Sequence, residues 1–171
     1  MGEVAGLLPP EPLAARHDLR EFSSGEVSLD DWLRRRALAN QVSGATRTYV
    51  VCDGKRVVAY YALASGAVAI ESAPGRFRRN MPAPIPVAVL ARLAVDRTWQ
   101  GRGIGRALFS DAARRVARAA DEIGIRGIMV HAISEEARNF YLRLGFEPSP
   151  SERMTLLVTL ADLRAALSSS P

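Results

Sequence analysis

The apolar positions of the chain change period several times, and each change marks an element. Leu29, Trp32, Leu33 and Ala37 recur at helical spacing behind Ser28, which is placed to cap a helix with Asp30 and Asp31 in its first turn, where the dipole favours acids. This helix fades between Asn40 and Gly44. Thr48–Cys52 and Val57–Leu63 read as strands joined by an Asp53-Gly54 turn, the second continuing through Val68 to Ile70. Glu71–Pro86 holds Pro74, Pro82, Pro84 and Pro86 and is predicted to be a long basic loop. Val87–Val95 is an apolar run broken by Arg92, the pattern of a largely buried strand. A glycine-rich turn follows, and then a helix whose apolar face carries Leu108, Phe109, Ala112, Val116 and Ala120, with Gly124 placed to end it. Gly127–Ala132 forms a short strand. Ser134 caps a helix carrying Ala137, Phe140, Tyr141 and Leu144, and Gly145 stops it. Met154–Thr159 is the last strand and Asp162–Leu167 a short terminal helix.

That order predicts an α/β (α+β) fold, one mixed sheet with helices packed on its faces. Nothing splits the chain, so residues 1–171 are expected to form a single domain, with 1–12 and 168–171 irregular. Hydrophobic residues at 48% and charged residues at 24% allow a real core and exclude a disordered tail, a collagen-like fibre or a disulfide scaffold. No apolar run approaches the roughly 18 residues of a membrane span. Met1-Gly2-Glu3-Val4 lacks the basic and apolar regions of a secretory signal. The single cysteine, Cys52, makes no metal pattern. A cytoplasmic chain with no membrane and no metal is expected.

Charge changes the picture. The net charge is +5, and all but one of the 23 basic residues are arginine, Lys55 being the exception. From Glu71 to Arg118 ten arginines stand against Glu71, Asp96 and Asp111. Such a balance suggests a polyanionic partner, either a phosphorylated cofactor or nucleic acid, although an arginine-solvated surface has the same composition. The turn Gln100-Gly101-Arg102-Gly103-Ile104-Gly105 lies between a buried strand and a helix N-terminus, whose unpaired N–H groups and dipole suit an anion. Arg102 and Arg106 add full charges, and a diphosphate is the natural guest. The dinucleotide fingerprint needs a small residue where Arg106 stands, and the P-loop lysine is absent.

This turn matches the Q/R-x-x-G-x-G/A signature of the GNAT N-acetyltransferase superfamily. Downstream, Ala137 to Phe146 resembles the A-x-x-x-Y-x-x-x-G-F segment of the same family. His17-Asp18, Phe22, Gly25, Leu29-Asp30-Asp31-Trp32-Leu33, Tyr60-Tyr61-Ala62-Leu63, Pro86–Val95 and Pro148–Leu156 extend the resemblance, almost over the full length, to the GNAT-type toxins of bacterial toxin–antitoxin modules. The resemblance implies a mostly antiparallel sheet whose splayed central strands hold acetyl-CoA. It implies that the backbone of Gln100 to Arg106 holds the pyrophosphate and that Leu93, Ala94 and Val95 offer amides to the thioester and pantetheine. Tyr141 would be the general acid. Where the family often has an asparagine seven positions before the tyrosine, this chain has Ser134, which puts that one pantetheine contact in doubt.

The narrower resemblance implies acetylation of the α-amino group of aminoacyl-tRNA, which stops translation. It also implies restraint by a ribbon-helix-helix antitoxin that binds operator DNA, and a homodimer. Arg76, Arg78, Arg79, Arg114, Arg115 and Arg118 are the candidate tRNA phosphate contacts. A small amine or a protein N-terminus is the alternative acceptor, and a non-catalytic CoA-binding regulator a third reading that an intact Tyr141 argues against. No general base stands out: His131 ends a core strand, where histidines are mostly structural, and Glu71 and Glu135 have no support. An α-amino group of pKa about 7.7–8.0 leaves a neutral fraction without one.

Overall fold

The computed structural model describes residues 6–169. Seven strands form one sheet in the order β1-β2-β3-β4-β5-β7-β6. They are β1 (Glu11–Pro12), β2 (Arg47–Asp53), β3 (Arg56–Val68), β4 (Ile85–Val95), β5 (Gly127–His131), β6 (Glu147–Pro148) and β7 (Thr155–Thr159). β1 with β2, β2 with β3, β5 with β7 and β6 with β7 pair antiparallel, while β4 runs parallel to β5. Contacts gather into two compact units, one running to Ala64 and including Ala91–Ala112, the other formed by Ser65–Leu90 and the chain from Ala113.

In the first unit, α1 (Val27–Trp32) passes through a π-helical stretch (Leu33–Ala37) into α2 (Leu38–Ser43), which Gly44 ends in the left-handed conformation. Leu29, Leu33 and Ala37 bury their predicted face against Leu13, Phe22, Val50, Val57, Tyr60 and Ala94. The helix begins one residue before Ser28, with Glu26 in the cap position. Ser28 is not the cap because the local oxygen chemistry is taken by another pair. The buried Asp30 carboxylate accepts from the Ser24 N–H at 3.0 Å and from the Ser24 hydroxyl at 2.7 Å. The hairpin turn is Gly54-Lys55, one residue later than expected, closed by Asp53 opposite Arg56. Glu11–Pro12 pair with Tyr49 and Val50 where the sequence reads as irregular.

Asp96 organises the end of β4. It is 2% exposed, and its carboxylate accepts from the Ser23 N–H at 3.1 Å, the Thr98 N–H at 3.0 Å and the Thr98 hydroxyl at 2.8 Å, with Arg56 at 3.4 Å. Burial alone raises its pKa, but the bonds from Thr98 and Ser23 and the Arg56 charge outweigh it and hold the group ionised below its ordinary value.

The second unit is built on Val68, Ala73, Phe77, Ile85, Val87, Met129 and Leu157. The predicted loop Glu71–Pro86 is not irregular throughout. β3 stops at Val68, short of Ile70, a 3-10 turn takes Ile70–Ser72, and α3 (Gly75–Arg78) follows. Prolines concealed the reason: Phe77 is 2% exposed, so burying one ring orders the segment. Arg126 staples it, donating to the carbonyls of Phe77 at 2.8 Å and Arg76 at 2.9 Å. Gly127 leaves room for that ring, since a Cβ there would lie 2.8 Å from Phe77 and 2.0 Å from the Val158 carbonyl oxygen.

α4 (Ile104–Ala119) ends before Gly124, whose backbone does not take the left-handed turn expected of a stop. α5 (Glu135–Arg143) is capped as predicted, Ser134 accepting from the Ala137 N–H at 3.0 Å, and Gly145 turns left-handed after it. α6 (Leu160–Ser169) starts two residues before Asp162 and runs into the stretch expected to be irregular. Residues 1–5, 170 and 171 lie outside the described residues. Replacing Asp96 orphans the backbone N–H groups of Ser23 and Thr98 and leaves Arg56 only its more exposed partner, Glu21. Asp96→Ala is therefore expected to cost about 3 kcal/mol in urea unfolding; a change within experimental error would show that the carboxylate does not secure this end of β4.

Candidate active site

In the first unit, β4 leads directly into the glycine-rich turn. A 3-10 turn over Arg97–Trp99, capped by Asp96, lowers the chain into Gln100. The Gln100 side chain donates to the carbonyls of Val95 at 2.9 Å and Ser24 at 2.8 Å, tying the turn to the strand it leaves. Gly101 and Gly103 hold φ of +78° and +80°, which other residues adopt only with strain, and no protein atom lies within 4 Å of where a Cβ would stand at either. Their side of the turn is open. Gly103 accepts the first bond of α4, from the Ala107 N–H at 3.1 Å, so the N–H groups of Ile104, Gly105 and Arg106 face outward without helical partners. Gly105 is helical rather than left-handed. Arg102 lies over the Trp99 ring at 4.6 Å, and Arg106 is exposed.

The helix carrying this turn is fastened to the sheet within the same unit. The Tyr61 hydroxyl donates to Asp111 at 2.5 Å, and the Tyr61 ring stacks on Tyr49. Leu93 and Val95 are half-buried and Ala94 is buried. Diphosphate oxygens suit these donors: helix-terminal N–H groups, two guanidiniums and an uncrowded turn.

Tyr141 lies in the second unit on α5. Its ring is 8% exposed and meets Phe140 and Phe146 edge-on at 5.1 and 5.3 Å. Tyr60, Tyr61 and Tyr141 are all buried, yet they differ at the hydroxyl. Tyr60 donates to the Leu29 carbonyl at 2.7 Å and Tyr61 to Asp111. The Tyr141 hydroxyl has no protein hydrogen-bond partner among the described residues and is not an enclosed polar atom: the ring is buried and the hydroxyl reaches the surface. Burial pushes its pKa well above 10.0, so the proton stays on oxygen at neutral pH.

The other candidates divide. Arg76 pairs with Asp162 at 2.6 Å at the surface, its side chain still largely exposed. Arg78, Arg79 and Arg118 are exposed, while Arg114 and Arg115 are half-buried along α4. Glu135 pairs with Arg153, whose hydrogen bond lowers the carboxyl pKa and weakens it as a base. His131 Nδ1 is engaged by the Thr155 hydroxyl at 2.9 Å. Ser134 already uses its oxygen on Ala137. Glu11, His17 and Cys52 place three potential ligand atoms within 4.8 Å of one another. Both His17 ring nitrogens are occupied there, Nδ1 by the Ala14 N–H at 2.9 Å and Nε2 by Glu11 at 2.7 Å. Burial raises the Cys52 thiol to about 11, so the group serves as a hydrogen-bonded brace. The sequence reading assigned no role to Asp96 or Tyr61; an acid at the end of one apolar strand and a tyrosine within another were the available signals.

The acetyltransferase (GNAT) domain model matches residues 44–148. The chain belongs to the GNAT acetyltransferase family. This GNAT chain is 52% identical over 164 residues to the tRNA-acetylating toxin of Mycobacterium tuberculosis, covering 96% of itself and 99% of that protein. It is 31% identical over 171 residues to the probable toxin TacT of Sinorhizobium fredii, covering 92% and 93%. Its fold superimposes on that of AtaT complexed with acetyl-methionyl-tRNA with a TM-score of 0.87, at 29% identity over 94% of this chain and 98% of that one. A tyrosine-to-phenylalanine mutant of AtaT, bound to the C-terminus of the antitoxin AtaR and to acetyl-CoA, matches with a TM-score of 0.82 at 28% identity, covering 95% and 99%. No helix among the described residues is long and apolar enough to cross a membrane.

The phenols set an alkaline limit. Tyr60 and Tyr141 both have folded pKa values above 10.0, because burial penalises the phenolate. The unfolded chain releases these protons first, so their stabilisation is complete below about pH 10 and declines as pH rises beyond it. Thermal melts are expected to fall as pH rises beyond about 10, and Tyr141→Phe to make that alkaline fall shallower; an equal slope in the variant would contradict the assignment.

Proposed function

We propose that this chain moves the acetyl group of acetyl-CoA to the α-amino group of aminoacyl-tRNA and thereby blocks translation, as the toxin of a toxin–antitoxin pair. The observation that carries this is the 52% identity, over nearly the whole of both chains, to a tRNA-acetylating toxin. The open anion-binding turn and the unpartnered phenol support it chemically.

Acetyl-CoA supplies an activated acetyl group as a thioester. The N–H groups of Gly101 to Arg106, with the Arg102 and Arg106 guanidiniums, hold its diphosphate. Amides of Leu93, Ala94 and Val95 receive the pantetheine arm and the thioester carbonyl, fixed donors of the oxyanion-hole kind. The neutral amine would form its bond to the acetyl carbon as the carbon–sulfur bond breaks, Tyr141 would give its proton to the departing sulfur, and the proton released by the nitrogen would return to the Tyr141 oxygen directly or through water, leaving an amide and the CoA thiol. A dedicated base is not required, since an α-amino group of pKa about 7.7–8.0 is partly neutral at physiological pH. Arg78, Arg79 and Arg118 contact tRNA phosphates, with Arg114 and Arg115 in support. Arg76 belongs to the same set, its exposed head shared with Asp162 at the surface.

In this reading the whole chain acts as one domain, since β3, β4 and α4 each run from one compact unit into the other. It acts in the cytoplasm as a homodimer and is restrained by a ribbon-helix-helix antitoxin, through which alone it meets operator DNA. Labelled acetyl-CoA and a pool of charged tRNA test the reaction. Label is expected on tRNA and is lost on prior deacylation; label only on polyamines, small amines or protein N-termini would replace aminoacyl-tRNA as the acceptor. Tyr141→Phe is expected to lower kcat by about 10²–10⁴-fold with acetyl-CoA affinity unchanged; an unchanged kcat would remove Tyr141 from the chemistry.

A further inference from the structure

Arg92 is the one charged residue of β4, and the fold does not account for it. Its neighbours two positions away, Leu90 and Ala94, are 3% and 5% exposed, and the arginine is itself half-buried. Its stem is what the strand covers, since the guanidinium nitrogens are not among the enclosed polar atoms and the head stays open to a ligand. Among the described residues none forms an ion pair with Arg92. One N–H donates to the carbonyl of the adjacent Ala91 at 2.9 Å. The group lies over the Trp32 ring at 5.0 Å, and Trp32 stacks on Tyr60 with centroids 6.0 Å apart and planes 11° from parallel. Tyr60 is fixed in turn by the Leu29 carbonyl. This shelf holds a flat cation in one orientation and leaves most of its donors unused.

We propose that Arg92, oriented on the Trp32 ring, holds a backbone phosphate at the aminoacylated 3′ end of tRNA and so positions the amine. The inference rests on the aminoacyl-tRNA reading above. Arg92 directly precedes Leu93, the first residue assigned to the thioester and pantetheine, so a phosphate held there lies beside the reacting groups. The same chemistry could come from acetyl-CoA, but the glycine turn already provides for that diphosphate. Unlike exposed arginines, which need no explanation, Arg92 occupies a place where an apolar side chain would fit better. Its charge has no carboxylate partner among the described residues, so removing it breaks no ion pair of the fold.

Arg92→Met separates these roles because it removes the charge and keeps an unbranched apolar stem. The proposal expects a Tm equal to or above wild type and unchanged acetyl-CoA affinity. It expects kcat/KM for charged tRNA to fall roughly tenfold, with the slope of log(kcat/KM) against log[salt] smaller by about 0.7–0.9, the share of one phosphate. Arg92→Lys should keep the wild-type salt slope while losing part of kcat/KM, since an ammonium lacks the planar fork. A lowered Tm or failure to fold in Arg92→Met would make Arg92 a structural group and overturn the proposal. Weakened acetyl-CoA binding with an unchanged tRNA salt slope would assign the phosphate to the cofactor and overturn it too. Absence of transfer to charged tRNA by the wild-type chain would instead remove the acceptor reading, and this inference with it.

Discussion

A buried carboxylate is expensive unless every oxygen is answered, and Asp96 is answered from three directions. It joins the backbone at Ser23, the turn at Thr98 and the side chain of Arg56, residues far apart in the chain. The result is a fixed point where β4 stops and the chain swings into Gln100. Gln100 then bonds back to Val95 and Ser24, so the same two segments are tied twice. The left-handed glycines and the first turn of α4 follow within eight residues of this anchor. A ligand held by backbone N–H groups depends on where the backbone is, and Asp96 decides that here.

The buried tyrosines show how one residue type takes different parts. Tyr60 and Tyr61 are neighbours on β3 and face opposite sides of the sheet. One fastens α1 through the Leu29 carbonyl, and the other fastens α4 through Asp111. Both hydroxyls are consumed by the fold. Tyr141 buries its ring but leaves its hydroxyl unbonded to the protein and open to the surface, and burial of the ring keeps the phenol neutral, the form that proton donation to a leaving sulfur would require. Arg92 presents the same contrast for charge: Arg56, Arg76 and Arg153 have carboxylate partners, whereas Arg92 rests on an aromatic ring.

Much of this was legible in the sequence because the signals were local. The period of Leu29, Leu33 and Ala37, the Ser134 cap and the Gly103-Ile104-Gly105 turn depend on residues close in the chain. The failures had a common cause, which is that distant partners override local preference. Ser28 looked like a cap until Asp30 proved to be bonded to Ser24. The proline-rich stretch read as a loop because nothing local announces that Phe77 packs beside Gly127, fifty residues on. Asp96 drew no attention because a single acid after an apolar run is ordinary in sequence, and only its four contacts distinguish it.

The account stands on the claim that backbone amides after Asp96 hold a diphosphate. A crystal structure of the chain with acetyl-CoA tests it most directly. Phosphate oxygens are expected at about 2.7–3.1 Å from amide nitrogens within Gly101 to Arg106, with the turn unchanged. A diphosphate held elsewhere by arginine side chains, with those amides facing solvent, would contradict it.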